Sequence, residues 1–202
     1  MNFSKRNFIV MLIAILIMGI GISLFKVSVM GNDPSSAMVM AIADTVAIDF
    51  SIILIIFNTV CFIIEILFGR KYIGVGTFVN WFCVGIIASA FFKMLVNLLG
   101  TNMSLPGRLL CMIAGVLVLS LSASMYQTAN LGISPYDVLS IILADRLPVP
   151  YFFCRIFTDA LCTLVAFLFG GIIGLGTLIC AFGLGPFITF FNKHVSEKIC
   201  DL

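Results

Sequence analysis

Four stretches of this chain, residues 8–25, 72–92, 109–131 and 160–192, run without a single charged side chain, and residues 50–68 are interrupted only by Glu65. A helix needs about 20 apolar residues to cross a hydrocarbon layer roughly 30 Å thick. Charged residues make up 10% of the chain and hydrophobic ones 62%, whereas about a quarter of the residues of a soluble domain are charged. Such a chain cannot keep its surface wet, so its solvent must be lipid. Lys5-Arg6 precede the first run as they would in a secretory signal peptide. That run is longer than the usual signal core, however, and no small-x-small cleavage site follows it, so a first anchored span is expected.

The halves of the chain repeat one another. Gly31-Asn32-Asp33-Pro34 returns as Gly132-Ile133-Ser134-Pro135, and Gly74-Val75-Gly76-Thr77 as Gly174-Leu175-Gly176-Thr177, each about one hundred residues later. Cys61 and Leu67-Phe68-Gly69 match Cys162 and Leu168-Phe169-Gly170 in the same register. Glycine and proline at fixed offsets from span ends do not match through apolar composition alone.

Six spans are expected, at residues 8–30, 50–68, 74–99, 109–131, 151–169 and 174–191. Two short apolar segments, 35–44 and 136–146, separate the first span of each copy from its second. At 1.5 Å rise per residue they reach about half the hydrocarbon thickness, so they dip part way in, lie on the surface or pack beneath other helices. Asp33 and Ser134 suit helix N-caps, and Pro34 and Pro135 suit the first helical position. Segment 35–43 is apolar nearly all round, which favours burial or re-entry over an interfacial helix. The expected fold is therefore an all-α membrane bundle of one domain. It consists of repeat one (8–99), repeat two (109–192) and a short tail (193–202).

Three spans per copy is an odd number, so the second copy enters from the opposite face. Lys and Arg in short loops set the orientation. With the N-terminus inside, Lys5, Arg6, Arg70, Lys71, Arg146, Lys193 and Lys198 fall on the cytoplasmic side, against Lys26, Lys93 and Arg108 outside. Inverted repeats are common in solute carriers.

Asp159 is the most unusual residue, about 12 Å into the fifth span. A lone charge there is worth roughly 3 kcal/mol of insertion penalty, so it needs a partner or a polar cavity. Arg155 lies four residues earlier on the same face. The repeat places Asn58 at the matching position of the second span, so Asn58 and Asp159 are expected to face each other between the copies. The three residues form a candidate substrate or proton site, and a polar lock between helices is the competing explanation. The turns Gly31, Asp33, Pro34, Gly132, Ser134, Pro135 and Asp137 are candidates too, because broken helices often line transport sites. Asp33, Asp44, Asp137 and Asp145 argue against a simple anion pocket there.

Glu65, near Arg70 and Lys71, reads as an interface ion pair, and Lys26 as a snorkelling lysine. Small residues such as Gly19, Gly21, Gly85, Gly115 and Gly185 read as close-packing positions, and Pro186 as a kink. The seven cysteines form no CxxC pair and read as buried thiols. Gly-x-Gly-Thr lacks the length and lysine of a phosphate loop. No metal-ligand cluster, cofactor fingerprint or nucleophile–base pair is present, and an enzyme is not expected. A net charge of +2 spread over span ends gives no nucleic-acid surface.

The segment from Gly132 to Leu139, with the Gly-x-Gly-Thr element at Gly174–Thr177, resembles the YczE/YitT-like group of small bacterial integral membrane proteins. The resemblance covers nearly the whole chain and implies a bacterial cytoplasmic membrane protein. The first copy departs from it, with Ser35-Ser36 in place of Tyr136-Asp137. The residues leave two functions open: a small permease of unknown substrate, with the lipid bilayer and a small solute as its partners, or a membrane scaffold for a partner protein. A homodimer is compatible with either.

Overall fold

The computed structural model describes residues 4–100 and 103–200. It is all-helical, with α1 (Lys5–Ser28), α2 (Pro34–Val46), α3 (Phe50–Phe68), α4 (Val75–Leu99), α5 (Leu105–Ala129), α6 (Asp137–Arg146), α7 (Tyr151–Leu168) and α8 (Leu175–Phe191). Six of the helices are long and apolar enough to cross a bilayer; α2 and α6 are the short ones. Where the sequence ends the last span near Phe191 and leaves a tail, the helix continues through a wide turn at Asn192–Ser196 to Cys200. Ser196 is fully buried there, its hydroxyl 2.5 Å from that of Ser124 on α5. Pro186 lies inside α8, which continues past it.

The core is the pair α1 and α5. Gly21 lies against the backbone of Leu119, and Gly115 against the ring of Phe25, so the two helices run antiparallel. A methyl group on Gly21 would sit 3.1 Å from the Leu119 nitrogen, which explains why small residues occupy this seam. Helix α4 packs on α1 and α8 on α5, while α3 lies against α4.

The short helices each accompany half of a long one. Helix α2 packs along α7 and ends where the Thr45 hydroxyl donates to the Phe169 carbonyl, 3.3 Å away. Its 13 residues, about 20 Å of helix, put its start near the middle of α7. Helix α6 starts with the Tyr136 ring 5.8 Å from that of Phe57, in the middle of α3, and ends with Arg146 over Phe68. The N-termini of both short helices thus lie at mid-length of the long helices. Asp33 caps α2 as its position predicts, accepting the Ser36 N–H at 3.0 Å. Regular helix begins later in α6, at Asp137, although the Ser134 hydroxyl still accepts the Asp137 N–H at 3.2 Å.

Candidate functional site

The repeated glycine motifs belong to two joints, and each joint combines both copies. At one, the Gly76 N–H donates to the Leu131 carbonyl (2.8 Å) and Ile133 N–H to the Tyr72 carbonyl (3.1 Å). At the other, Gly176 N–H donates to the Met30 carbonyl (2.9 Å). The Gly-x-x-Pro turn of each copy therefore docks on the Gly-x-Gly-Thr helix start of the other. Gly31 and Gly132 adopt φ of +98° and +121°, which favours glycine, and a Cβ on either would strike the facing threonine hydroxyl at 2.6 or 2.7 Å. Since α1 and α5 are antiparallel, the joints sit at opposite ends of the bundle.

Between the joints lies a polar cluster built by α6 and α7. Tyr136 donates from its hydroxyl to Asp159 Oδ1 at 2.6 Å, and Arg155 donates from Nε to Asp159 Oδ2 at 3.3 Å. The other end of the guanidinium pairs with Asp137 Oδ1. Asp137 Oδ2 accepts from the Ser134 hydroxyl at 2.6 Å. The guanidinium carbon stands 5.1 Å from the Tyr136 ring centre, and the Cys162 thiol donates to the Tyr136 hydroxyl at 3.6 Å. Asp159 is 4% exposed. Burial in so apolar a chain demands that each of its oxygens find a partner, and each has one, with a second lone pair left on both.

Of the predicted site residues, Arg155, Asp159, Asp137 and Ser134 come together. Pro135 is fully buried beside them. Asn58 is buried on α3, but both Asp159 oxygens are engaged by Tyr136 and Arg155, and no Asp159 hydrogen bond reaches it. Gly31, Asp33 and Pro34 lie at the other joint. There Asp33 Oδ1 is buried with no hydrogen-bond partner. Tyr136 is the member that sequence reasoning missed as a ligand of Asp159. Its place at the head of the short segment was the available signal.

A cleft of about 420 Å³ runs between α7 and α8, with Asp159 and Thr177 among its polar lining and Ile156, Leu164, Phe167, Leu178 and Phe182 among its apolar walls. Between the equivalent pair, α3 and α4, aromatic side chains pack against one another. Trp81 fills the place of Ala181, Phe62 that of Thr163 and Phe78 that of Leu178. The rings of Phe62 and Trp81 lie 4.6 Å apart, and the indole N–H donates to the Ile55 carbonyl at 3.1 Å. A smaller cavity, about 200 Å³, lies beside Lys26, Asn32 and Asp44 at the Met30 joint. Lys26 there stands 4.5 Å from the ring centre of Phe92.

The thresholds of the two joints differ as well. The Thr77 hydroxyl donates to the Ile133 carbonyl (2.8 Å) and accepts from Gly74 N–H (3.2 Å). The Thr177 hydroxyl is buried without a partner. Glu65 is a correction to the sequence reading: it is fully buried, and neither carboxyl oxygen has a hydrogen-bond partner. Arg70 instead donates to the Ile66 carbonyl, and Lys71 pairs with Asp145 at 2.8 Å. Among the described residues no group of three or more His, Cys, Asp or Glu is placed to hold a metal ion.

An uncharacterized protein of Haemophilus influenzae is 27% identical over 189 residues, covering 93% of this chain and 84% of its own length. The uncharacterized protein YyaS of Bacillus subtilis is 26% identical over 190 residues, covering 92% and 94%. No solved structure matches the chain. The family model that matches, over residues 5–193, is that of a family of unknown function, DUF6198, rather than the group suggested by the motifs. With nearly its whole length matched, the chain belongs to the DUF6198 family.

Proposed function

We propose that this protein is a small solute carrier of the bacterial cytoplasmic membrane, made of two three-helix repeats that enter the bilayer from opposite faces. The antiparallel α1–α5 pair and the reciprocal docking of the glycine motifs support the inverted arrangement. The excess of Lys and Arg at the Lys71–Arg146 end puts that end and the N-terminus in the cytoplasm. Kinship with the YczE/YitT-like group is part of the same proposal and rests on the Gly-x-x-Pro and Gly-x-Gly-Thr motifs.

One observation carries the carrier reading: an ion cluster, Asp137–Arg155–Asp159, sits half-way along a spanning helix, and its Asp159 lines a cleft. Carriers with inverted repeats place their sites at mid-membrane, beside the N-termini of broken helices. Nothing in the cluster is arranged as a nucleophile with its base, so the chemistry it supports is binding rather than turnover.

A second reading has its own support. Tyr136 and Arg155 satisfy Asp159 within the chain, as they would in a polar lock of a membrane accessory protein. Thermal stabilisation of the purified protein across a solute panel, followed by flux in reconstituted vesicles, separates the two. A carrier is expected to show a stabilising solute whose flux disappears in Asp159→Asn while the variant still purifies as a folded species. An accessory protein would show no such solute, and Asp159→Asn would lower yield alone.

A further inference from the structure

The cleft between α7 and α8 carries charge information that the carrier reading has not used. Two carboxylates, Asp137 and Asp159, meet one guanidinium, Arg155, on α7. The N-terminus of α6 adds about half a positive charge. About half a unit of negative charge is left unmatched. The other ion pair of the described residues, Lys71 with Asp145, lies at the far end of α6.

An unmatched acceptor lies in the same place. Thr177 is 2% exposed, lines the cleft, and its hydroxyl oxygen has no partner. Buried polar atoms in native proteins are nearly always satisfied, so bare ones beside a cavity mark a missing partner. The rest of the cleft is aliphatic and aromatic, and its volume suits a small organic molecule better than a bare ion.

The geometry points to this cleft as a binding site for a singly charged ammonium group on a compact apolar body, entering between α7 and α8 from the lipid side. The ammonium has three N–H donors and no acceptor, which suits the second lone pair of each Asp159 oxygen and the bare hydroxyl oxygen of Thr177, both residues lining the cleft. The apolar body takes the volume that Trp81 and Phe62 fill in the first copy. This deepens the carrier reading: it names the class of solute, and depends on that reading only for transport.

The test uses the full-length protein in detergent, with melting followed in the presence of phenethylamine, the uncharged 2-phenylethanol, the anionic phenylacetate, or sodium chloride. Phenethylamine in large excess is expected to raise Tm by about 5 °C, and the other three to leave it unchanged. Ala181→Trp, which installs the residue of the first copy, is expected to abolish the shift, and Thr177→Val to reduce it. Should Ala181→Trp fail to fold, Thr163→Phe fills the same cleft from the opposite wall.

An equal shift with the alcohol, a shift with phenylacetate, a shift with sodium alone, or none with any probe would each overturn the assignment. So would an amine shift that survives filling of the cleft. A phenylacetate shift lost in Asp159→Asn would leave a carrier standing and remove only the ammonium. Amine binding without flux in vesicles would leave the site standing and remove the carrier.

Discussion

Helices α3 and α4 start from the same pattern as α7 and α8, yet one pair is sealed and the other open. In the first copy, Trp81, Phe62 and Phe78 fill the space between the helices, and Thr77 uses its hydroxyl twice in the joint. In the second copy Ala181, Thr163 and Leu178 leave a cleft, and Thr177 has no partner. Polar residues follow the same division. Ser35, Ser36, Leu54 and Asn58 of the first copy correspond to Tyr136, Asp137, Arg155 and Asp159 of the second. A duplicated unit has thus kept its scaffold in both halves and concentrated charge and volume in one. The shared glycine joints hold both halves together, and on the proposed carrier reading the differences are what one half uses to bind.

That comparison can be broken most severely at Arg155. Arg155→Leu strips the partner from the buried Asp159 and the part-exposed Asp137 and is expected to lower stability by about 3 kcal/mol. Chemical denaturation of the purified protein would read it. The equivalent position of the first copy already carries leucine, so Leu54→Ala should cost less, as a void alone. Opening the sealed pair comes next. Trp81→Ala removes ring contacts and the bond to Ile55, an expected loss of about 2 kcal/mol in the same assay. The threonines sharpen the contrast at smaller scale: Thr77→Val is expected to cost about 1–2 kcal/mol, and Thr177→Val less than about 0.5 kcal/mol, because only the first loses hydrogen bonds.

The smallest effect concerns the exposed end of α6. Hydrogen bonds first from Lys71 and then from Tyr72 hold Asp145 below the ordinary carboxylate range, and Asp145 in turn raises Lys71. The Asp145 contribution is present above its ordinary value of 3.8 and fades as pH falls through the lowered one. The Lys71 contribution is present below 10.5 and fades as pH rises through the raised value. Asp145→Asn should therefore lower Tm slightly and equally between those limits, with the difference vanishing in acid. Both groups are fully solvated, so the change is expected to be barely measurable.

Much of this was legible in the chain itself. Span number follows from charge-free length. The Arg155–Asp159 pair follows from i,i+4 spacing, and the duplication from glycine and proline offsets. Which faces meet was not legible, because helices apolar all round carry no polar stripe to mark their buried side. Trp81 opposite Ala181 means nothing until α3 is known to pack on α4 and α7 to stand off α8. Glu65 misled because sequence proximity is not spatial proximity: Arg70 and Lys71 lie past the end of α3, where they meet the Ile66 carbonyl and Asp145 instead. The crossing of Gly-x-x-Pro turns onto Gly-x-Gly-Thr starts was hidden for a related reason, since each motif repeats at the same interval and nothing in the spacing says that they touch.

The account stands or falls on the two copies being threaded through the bilayer in opposite senses. Ile48 and Val149 occupy equivalent, exposed positions in the linkers after α2 and α6, 43% and 39% accessible. Single cysteines there, in a cysteine-free background, can be labelled in intact cells with a membrane-impermeant thiol reagent. Ile48→Cys is expected to react from outside and Val149→Cys only after the membrane is opened. Labelling of both from the same side would contradict the inverted arrangement and the mid-membrane site built on it.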